Sequence, residues 1–283
     1  MKLPQTSSIA KSASQNHWKW LQRTQPFSWL QNLFNITDSE AMLNAQTLNY
    51  LKYQMKLDMP LSFVCQSRMH DEAQYYEQII FSQGIVPTRP NSWHDFYNGV
   101  IWLQFPKTKR LLNRWHVEDI EQFGMSPRNK RRNQITHFDE CGVILVCEDE
   151  QLLSQLRQHQ FKHVLHEQRH RWGSDIHGVI FGHANYEMLM NPYIGLTGKW
   201  LAIEPCVNYF SLPVAEQLNY IDETLVTKLT QQQAFSGDCH LSPLPLLGVP
   251  GWYAQNNEAA FYDNQDYFRP KSTKLLQPTT GKS

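Results

Sequence analysis

Cysteine is scarce in this chain, charge of either sign is not in excess, and long apolar runs are missing. Each shortage removes a class of protein. Five cysteines among 283 residues are odd in number and nowhere spaced Cys-x-x-Cys, which excludes both a disulfide framework and a zinc ribbon. Reduced, mostly buried thiols are expected at Cys65, Cys141, Cys147, Cys206 and Cys239. Twenty-six basic residues balance 26 acidic ones, so no global field draws the chain to nucleic acid or to a membrane surface. Any site for an anion must be local. No window approaches the roughly 18–20 consecutive apolar residues that cross a bilayer. The opening MKLPQTSSIAKSASQNH lacks the continuous apolar stretch of a secretory signal, and a cytoplasmic location is expected. No internal repeat and no Pro/Gly-rich linker divides the chain, and no feature specifies an oligomer.

What is present is core-forming material. Apolar residues make up 41% of the chain and aromatics 12%, with nine tryptophans, enough to bury a substantial interior. Polar stretches over residues 1–16 and 271–283 are expected to be disordered tails around a single α+β domain at 17–270. The terminal Gly281-Lys282-Ser283 mimics the end of a phosphate loop, but Leu276 stands where its first glycine belongs. Apolar residues at three- and four-residue spacing predict helices in NHWKWLQRTQPFSWLQNLF and DSEAMLNAQTLNYLKYQM. LSFVCQ reads as a short apolar segment, and DEAQYYEQIIFSQG as a helix closed by Gly84. Another helix starts near Trp93, and Pro106 ends or kinks it and opens the next one toward Gly124. At NQITHFDECGVILVCED the period turns to that of strands, which predicts a hairpin around Asp139-Glu140-Cys141-Gly142. A helix from about Glu148, a strand in IHGVIF running through Gly182 into a helix, a strand in KWLAIEP and a helix in PVAEQLNYIDETLVTKLTQQQ complete the pattern. Strands and helices mix without a βαβ rhythm, so the expected fold is α+β, a small mixed or antiparallel sheet wrapped by helices.

VPTRPNSWHDFYNGVIWLQFPKTKRLLN, RRNQITHFDECGVIL, FGHANYE and LPLLGVPGWYAQNNEAAFYDNQDYFRP stand in this order along the chain. Taken together, from about residue 60 to 270, they resemble the signature segments of the bacterial domain of unknown function numbered 3025. The resemblance implies one bacterial domain of intracellular type; it implies no mechanism.

The residues that carry chemistry fall into clusters. In a helix from Trp93, His94, Asn98 and Trp102 share a face, and His94 with the adjacent Asp95 has the makings of a general base or a metal-ligand pair. Ser92-Trp93-His94-Asp95 also fits the S-x-x-D capping pattern, which would make Asp95 a helix cap. On a strand, His137 and Asp139 would point the same way as two metal ligands, although acidic residues beside glycine are also ordinary turn chemistry. His183 and Glu187, four apart on a helix that follows a strand, occupy a place where catalytic groups gather; a core histidine with a surface glutamate is the plainer alternative. Lys107 and Lys109 oppose the dipole of the helix they open, and with Arg131 and Arg132 they would line an anion pocket or else form a solvated basic face. Trp252, with Tyr262 and Arg269, belongs to a rigid loop that lines a pocket or straps the core. His166-Glu167-Gln168-Arg169-His170 matches the H-E-x-x-H pattern of zinc proteases. However, His159, His163, His166 and His170 fall opposite Phe161, Val164 and Leu165, on the side away from the local core.

The leading expectation is a hydrolase-like enzyme. His94, Asp95, Asn98, His183 and Glu187 would be its catalytic groups, His137 and Asp139 metal ligands, and Lys107, Lys109, Arg131, Arg132 and Trp252 binding groups for a small anionic substrate. A divalent metal or direct acid–base work by histidine would serve the same site. The alternatives are a non-catalytic ligand- or partner-binding protein and a zinc metalloprotease acting through His166, Glu167 and His170.

Overall fold

The computed structural model describes residues 25–34, 43–69, 75–231, 235 and 241–271. The expected tail at 1–16, the start of the first predicted helix and Cys239 lie outside these residues, as does the expected tail at 271–283 apart from Lys271. The elements run α1 (Phe27–Phe34), α2 (Ala45–Gln54), β1 (Ser62–Cys65), α3 (Tyr76–Gln83), β2 (Ile85–Thr88), α4 (Trp93–Gln104), α5 (Pro106–Phe123), α6 (Lys130–Cys141), β3 (Gly142–Cys147), α7 (Glu150–Arg157), β4 (Ile176–Ile180), α8 (His183–Leu189), β5 (Thr197–Ile203), α9 (Val214–Gln231) and β6 (Ser242–Pro245).

Local chemistry sets the helix boundaries. Gly84 ends α3 in the left-handed conformation at φ 65°, which glycine adopts without strain. Ser92 caps α4 by accepting the Asp95 N–H at 3.2 Å. Pro106 opens α5 at its first turn, where its missing N–H costs little. Asn129 caps α6 by accepting the Arg132 N–H at 2.8 Å.

The main sheet has the order β4-β3-β5-β6. β3 pairs parallel with β5 and antiparallel with β4, so the sheet is mixed and the chain is an α+β fold. Every residue of β3 is buried, as expected of a strand covered on both faces. β6 sits at the edge, where Pro243 and Pro245, which have no N–H to give, are tolerated. A separate pair, β1 with β2, is parallel. The core runs continuously from Phe27 to Phe268.

One expectation fails here. Residues 130–141 form a helix, not the first arm of a hairpin. The β-branched pair Ile135-Thr136 imitates a strand, but the side chains that become buried are Arg132, Ile135 and Phe138, three apart, which is a helical stripe. In that helix His137 and Asp139 are about 200° apart, so they do not share a face, and His137 is exposed.

The junction from β4 into α8 is held by close backbone contact. The Gly142 carbonyl accepts the N–H groups of Phe181 at 3.0 Å and Gly182 at 2.8 Å, and the Asn185 amide at 3.2 Å. A Cβ on Gly182 would lie 2.3 Å from the Gly142 nitrogen and 2.4 Å from the Glu140 carbonyl oxygen. Gly182→Ala is therefore expected to cost roughly 2–3 kcal/mol, as overpacking against rigid backbone does, and urea denaturation of the two proteins measures it.

Candidate metal centre

Two helices bring the site together. α4 and α8 lie against each other with their N-termini at the same end, and each presents a histidine followed one turn later by a tyrosine. Tyr97 stacks on Tyr186, with centroids 5.3 Å apart and an interplanar angle of 20°. One turn nearer the N-termini, His94 meets His183 edge to face at 4.5 Å. Their Nε2 atoms are 3.1 Å apart. α6 ends beside them, so that Glu140 Oε2 lies 3.3 Å from His183 Nε2. Ligand atoms of His94, Glu140 and His183 all fall within 4.8 Å of one another, the one such trio of imidazole, thiol or carboxylate groups among the described residues.

The outer ring nitrogens face carboxylates. His94 Nδ1 is 3.0 Å from Glu187 Oε2, and His183 Nδ1 is 4.0 Å from Asp139 Oδ2. Asp139 in turn pairs with Lys109, whose Nζ also donates to Asn98 Oδ1 at 3.1 Å. The Asn98 amide donates to the Tyr76 hydroxyl at 2.8 Å. The cluster thus grades from outside inward: the His94 side chain is 37% exposed, that of His183 only 4%.

Burial is the main cause of the electrostatic pattern. It pushes His183 down to about 3, only partly opposed by Asp139, so the ring is neutral and available as a ligand. For Asp139 burial acts upward, but Lys109 and then His183 bring the carboxyl below its usual range. Burial, and next the Asp139 charge, raise the Glu140 carboxyl.

Tautomers sharpen the point. A carboxylate only accepts hydrogen bonds, so His94 keeps its proton on Nδ1 and turns a bare lone pair on Nε2 toward His183. Neutral His183 with its proton on Nε2 would donate to that lone pair at 3.1 Å; with its proton on Nδ1, two Nε2 lone pairs would oppose each other. A cation between the Nε2 atoms would take up both lone pairs of the second arrangement, with the His94 Nδ1–H held by the Glu187 carboxylate, as carboxylates hold histidines at metals. An ion about 2.0–2.1 Å from both nitrogens fits their separation.

Among the residues singled out in the sequence, His94, His183, Glu187 and Asp139 meet here, and Lys109 and Asn98 support them from behind. The others are engaged elsewhere. The Asp95 carboxylate accepts the Arg89 N–H at 2.6 Å and its guanidinium at 2.7 Å; it holds the chain entering α4 and does not face the imidazoles. His137 is turned to solvent on α6. Lys107 pairs with Glu223 of α9, and Arg131 with Asp119 at 2.9 Å. Arg132 is buried, and its guanidinium donates to the Gly124 and Met125 carbonyl oxygens at 3.1 and 3.0 Å. Trp252 is buried in the core beside Gly178. Tyr262 is tied through its hydroxyl to the Leu165, Gly248 and Asn256 carbonyl oxygens, so the C-terminal segment acts as a strap. The His166–His170 segment is not one α-helix: residues His163–Glu167 are π-helical and Arg169–Arg171 form a 3-10 turn. Glu167 is bound to His163 at 2.6 Å. Glu140 is the member that sequence reasoning missed, because the expected hairpin made it a turn residue.

Acid should destabilise the fold through its buried imidazoles. His183 is held down to about 3, and His116 and His177 to about 4, each chiefly by burial, against an ordinary value of 6.5. The unfolded chain then binds protons that the native state refuses, so stability falls as pH drops below about 6.5 toward 3. Burial raises Glu77 to about 7 from 4.5 and also raises Glu140 and Asp222, which opposes the decline only in part, since the three imidazoles move further. Urea midpoints are expected to decline from pH 6.5 to pH 4.

No curated protein and no solved structure matches the chain. A family profile does: it aligns with residues 61–272, a span that holds β1 through the strap and every member of the His94, Glu140 and His183 trio. The chain belongs to the family described as protein of unknown function, DUF3025.

Proposed function

We propose that the chain is a metal-dependent hydrolase in which His94, Glu140 and His183 hold one divalent cation. The observation that carries this reading is the convergence of two Nε2 atoms and a carboxylate oxygen within 4.8 Å, while both outer ring nitrogens face carboxylates. Two histidines and one glutamate are a common donor set of hydrolytic zinc, which keeps a further position for water. The partial exposure of His94, Glu140 and Glu187 leaves that position facing solvent. There the cation would lower the pKa of bound water to about 7, giving a nucleophile at neutral pH, and polarise the substrate oxygen. Glu187 orients the His94 imidazole, Asp139 lies as a charge behind His183, and Lys109 neutralises Asp139. A small anionic substrate would be drawn to the cation itself, because Lys107, Arg131 and Arg132 are bound elsewhere.

The same donors suit ferrous iron in oxygen chemistry, so the identity of the ion separates two reaction classes. Metal analysis of the purified protein is expected to find one zinc or similar redox-inert ion per chain, lost in His94→Ala and His183→Ala. Hydrolysis of p-nitrophenyl esters or of p-nitrophenyl phosphate should disappear with it. Glu187→Gln should retain the fold, because that side chain is 45% exposed, and bind the ion about 10–100-fold more weakly, the usual effect of removing a ligand's carboxylate partner. Ion content and turnover unchanged in both histidine variants would refute the proposal, and stoichiometric iron would favour oxygen chemistry.

A further inference from the structure

Asp139 and Lys109 also border a small hollow inside the protein. Tyr76, Glu77, Asn113 and His116 line it with them, and its free volume of about 10 Å³ is near the minimum for the centre of one water molecule. His116 is 6% exposed, and its Nδ1 has no hydrogen-bond partner among the described residues. Lys109 has three N–H donors, and Asp139 and Asn98 take two of them. Glu77 is bound at one oxygen, where the Asn113 amide donates at 2.6 Å. Donors and acceptors therefore line the hollow beyond those the protein satisfies, as a buried water requires.

We propose that one water occupies this hollow and that Glu77, acting through it and Lys109, governs how tightly His94, Glu140 and His183 hold their cation. The inference rests on the metal-centre reading above. Every element around Glu77 contributes a group that faces it. Lys109, Asn113 and His116 come from α5, Asp139 from α6, Arg128 from the segment between α5 and α6, and Tyr76 from its own helix. Burial acts first on the Glu77 carboxyl and Asp139 adds to it, while Asn113, Lys109 and Arg128 oppose them, leaving it at about 7. The group accordingly changes charge in the neutral range.

The sign follows from two effects that act together. An ionised Glu77 adds negative charge behind the centre, which favours a cation there. It also competes for Lys109, and Asp139, less neutralised, adds more of its own negative charge 4.0 Å from the His183 ring. Ionisation of Glu77 tightens the ion, and by reciprocity the ion makes Glu77 more acidic.

The test uses the full chain and zinc alone. Zinc affinity is measured by competition with a chromophoric chelator from pH 6 to 8, for wild type and for Glu77→Gln, which preserves an acceptor for Asn113. Wild-type affinity should climb about tenfold more steeply over this range than that of the variant, within the usual size of site-to-site coupling. Independently of any variant, the carboxyl band of Glu77, followed by infrared spectroscopy with labelled glutamate, should titrate about one pH unit lower in the zinc-loaded protein than in the zinc-free one. Zinc uptake with identical slopes and an unmoved Glu77 titration overturns this inference and leaves the metal centre standing. A failure of the wild-type protein to take up zinc overturns both.

Discussion

Stacking of Tyr97 on Tyr186 sets the register between α4 and α8, and the meeting of the two imidazoles depends on that register. Both rings are buried, and an aromatic pair of this kind adds about 0.5–1.5 kcal/mol beyond the area it removes from water. Because His94 precedes Tyr97 by three residues and His183 precedes Tyr186 by three, the stack fixes one turn of each helix and delivers the next turn as a pair of facing imidazoles. Phe27 packs on both tyrosines at 6.4 and 5.6 Å, so α1 clamps the same joint. A slip of α8 by one residue would turn His183 by about 100° around its helix and part the two rings.

A buried cation and anion hold the third side. Buried Lys109 and partly buried Asp139 form a pair, and such a pair is weak evidence of stability, since desolvating two charges offsets most of their attraction. Its value here is geometric. Lys109 donates to Asn98 on α4 and to Asp139 on α6 while belonging to α5, so one ammonium joins three helices at the back of the imidazole pair. Removing either partner would leave an uncompensated charge in the core, a much larger penalty than the net worth of the pair.

Much of the scaffold was legible in local chemistry: the start of α4 at Trp93, the left-handed Gly84, the restart at Pro106 and the strand that enters α8 through Gly182, although the cap of α4 proved to be Ser92 while Asp95 binds Arg89. His94, His183 and Glu187 could be nominated because imidazoles and carboxylates at helix starts stand out from their surroundings. Glu140 could not, since β-branched Ile135 and Thr136 made the end of α6 look extended, and only tertiary burial of Arg132, Ile135 and Phe138 shows the helical period. Cationic residues misled for a related reason. Lys107, Arg131 and Arg132 form a cluster along the sequence, but each finds its own acid or helix-end carbonyl, and long side chains reach partners that sequence spacing does not reveal. Lys109 shares the same stretch and is the exception because it points into the core. Cavities have no sequence signature, so the hollow beside Glu77 was invisible.

Phe181, Gly182 and His183 are consecutive, and each serves a different layer of the molecule. Phe181 stacks on Phe138 at 4.7 Å in the hydrophobic interior, Gly182 touches the neighbouring backbone, and His183 turns its ring to the cluster. Interior and imidazole cluster are thus welded along a single tripeptide, and neither can be remodelled there without disturbing the other. The solvent-facing rim is held differently: Glu140 and Glu187, 38% and 45% exposed, meet the imidazoles without entering the packed layer, so a change of length or charge there would alter the cluster and leave the interior as it is.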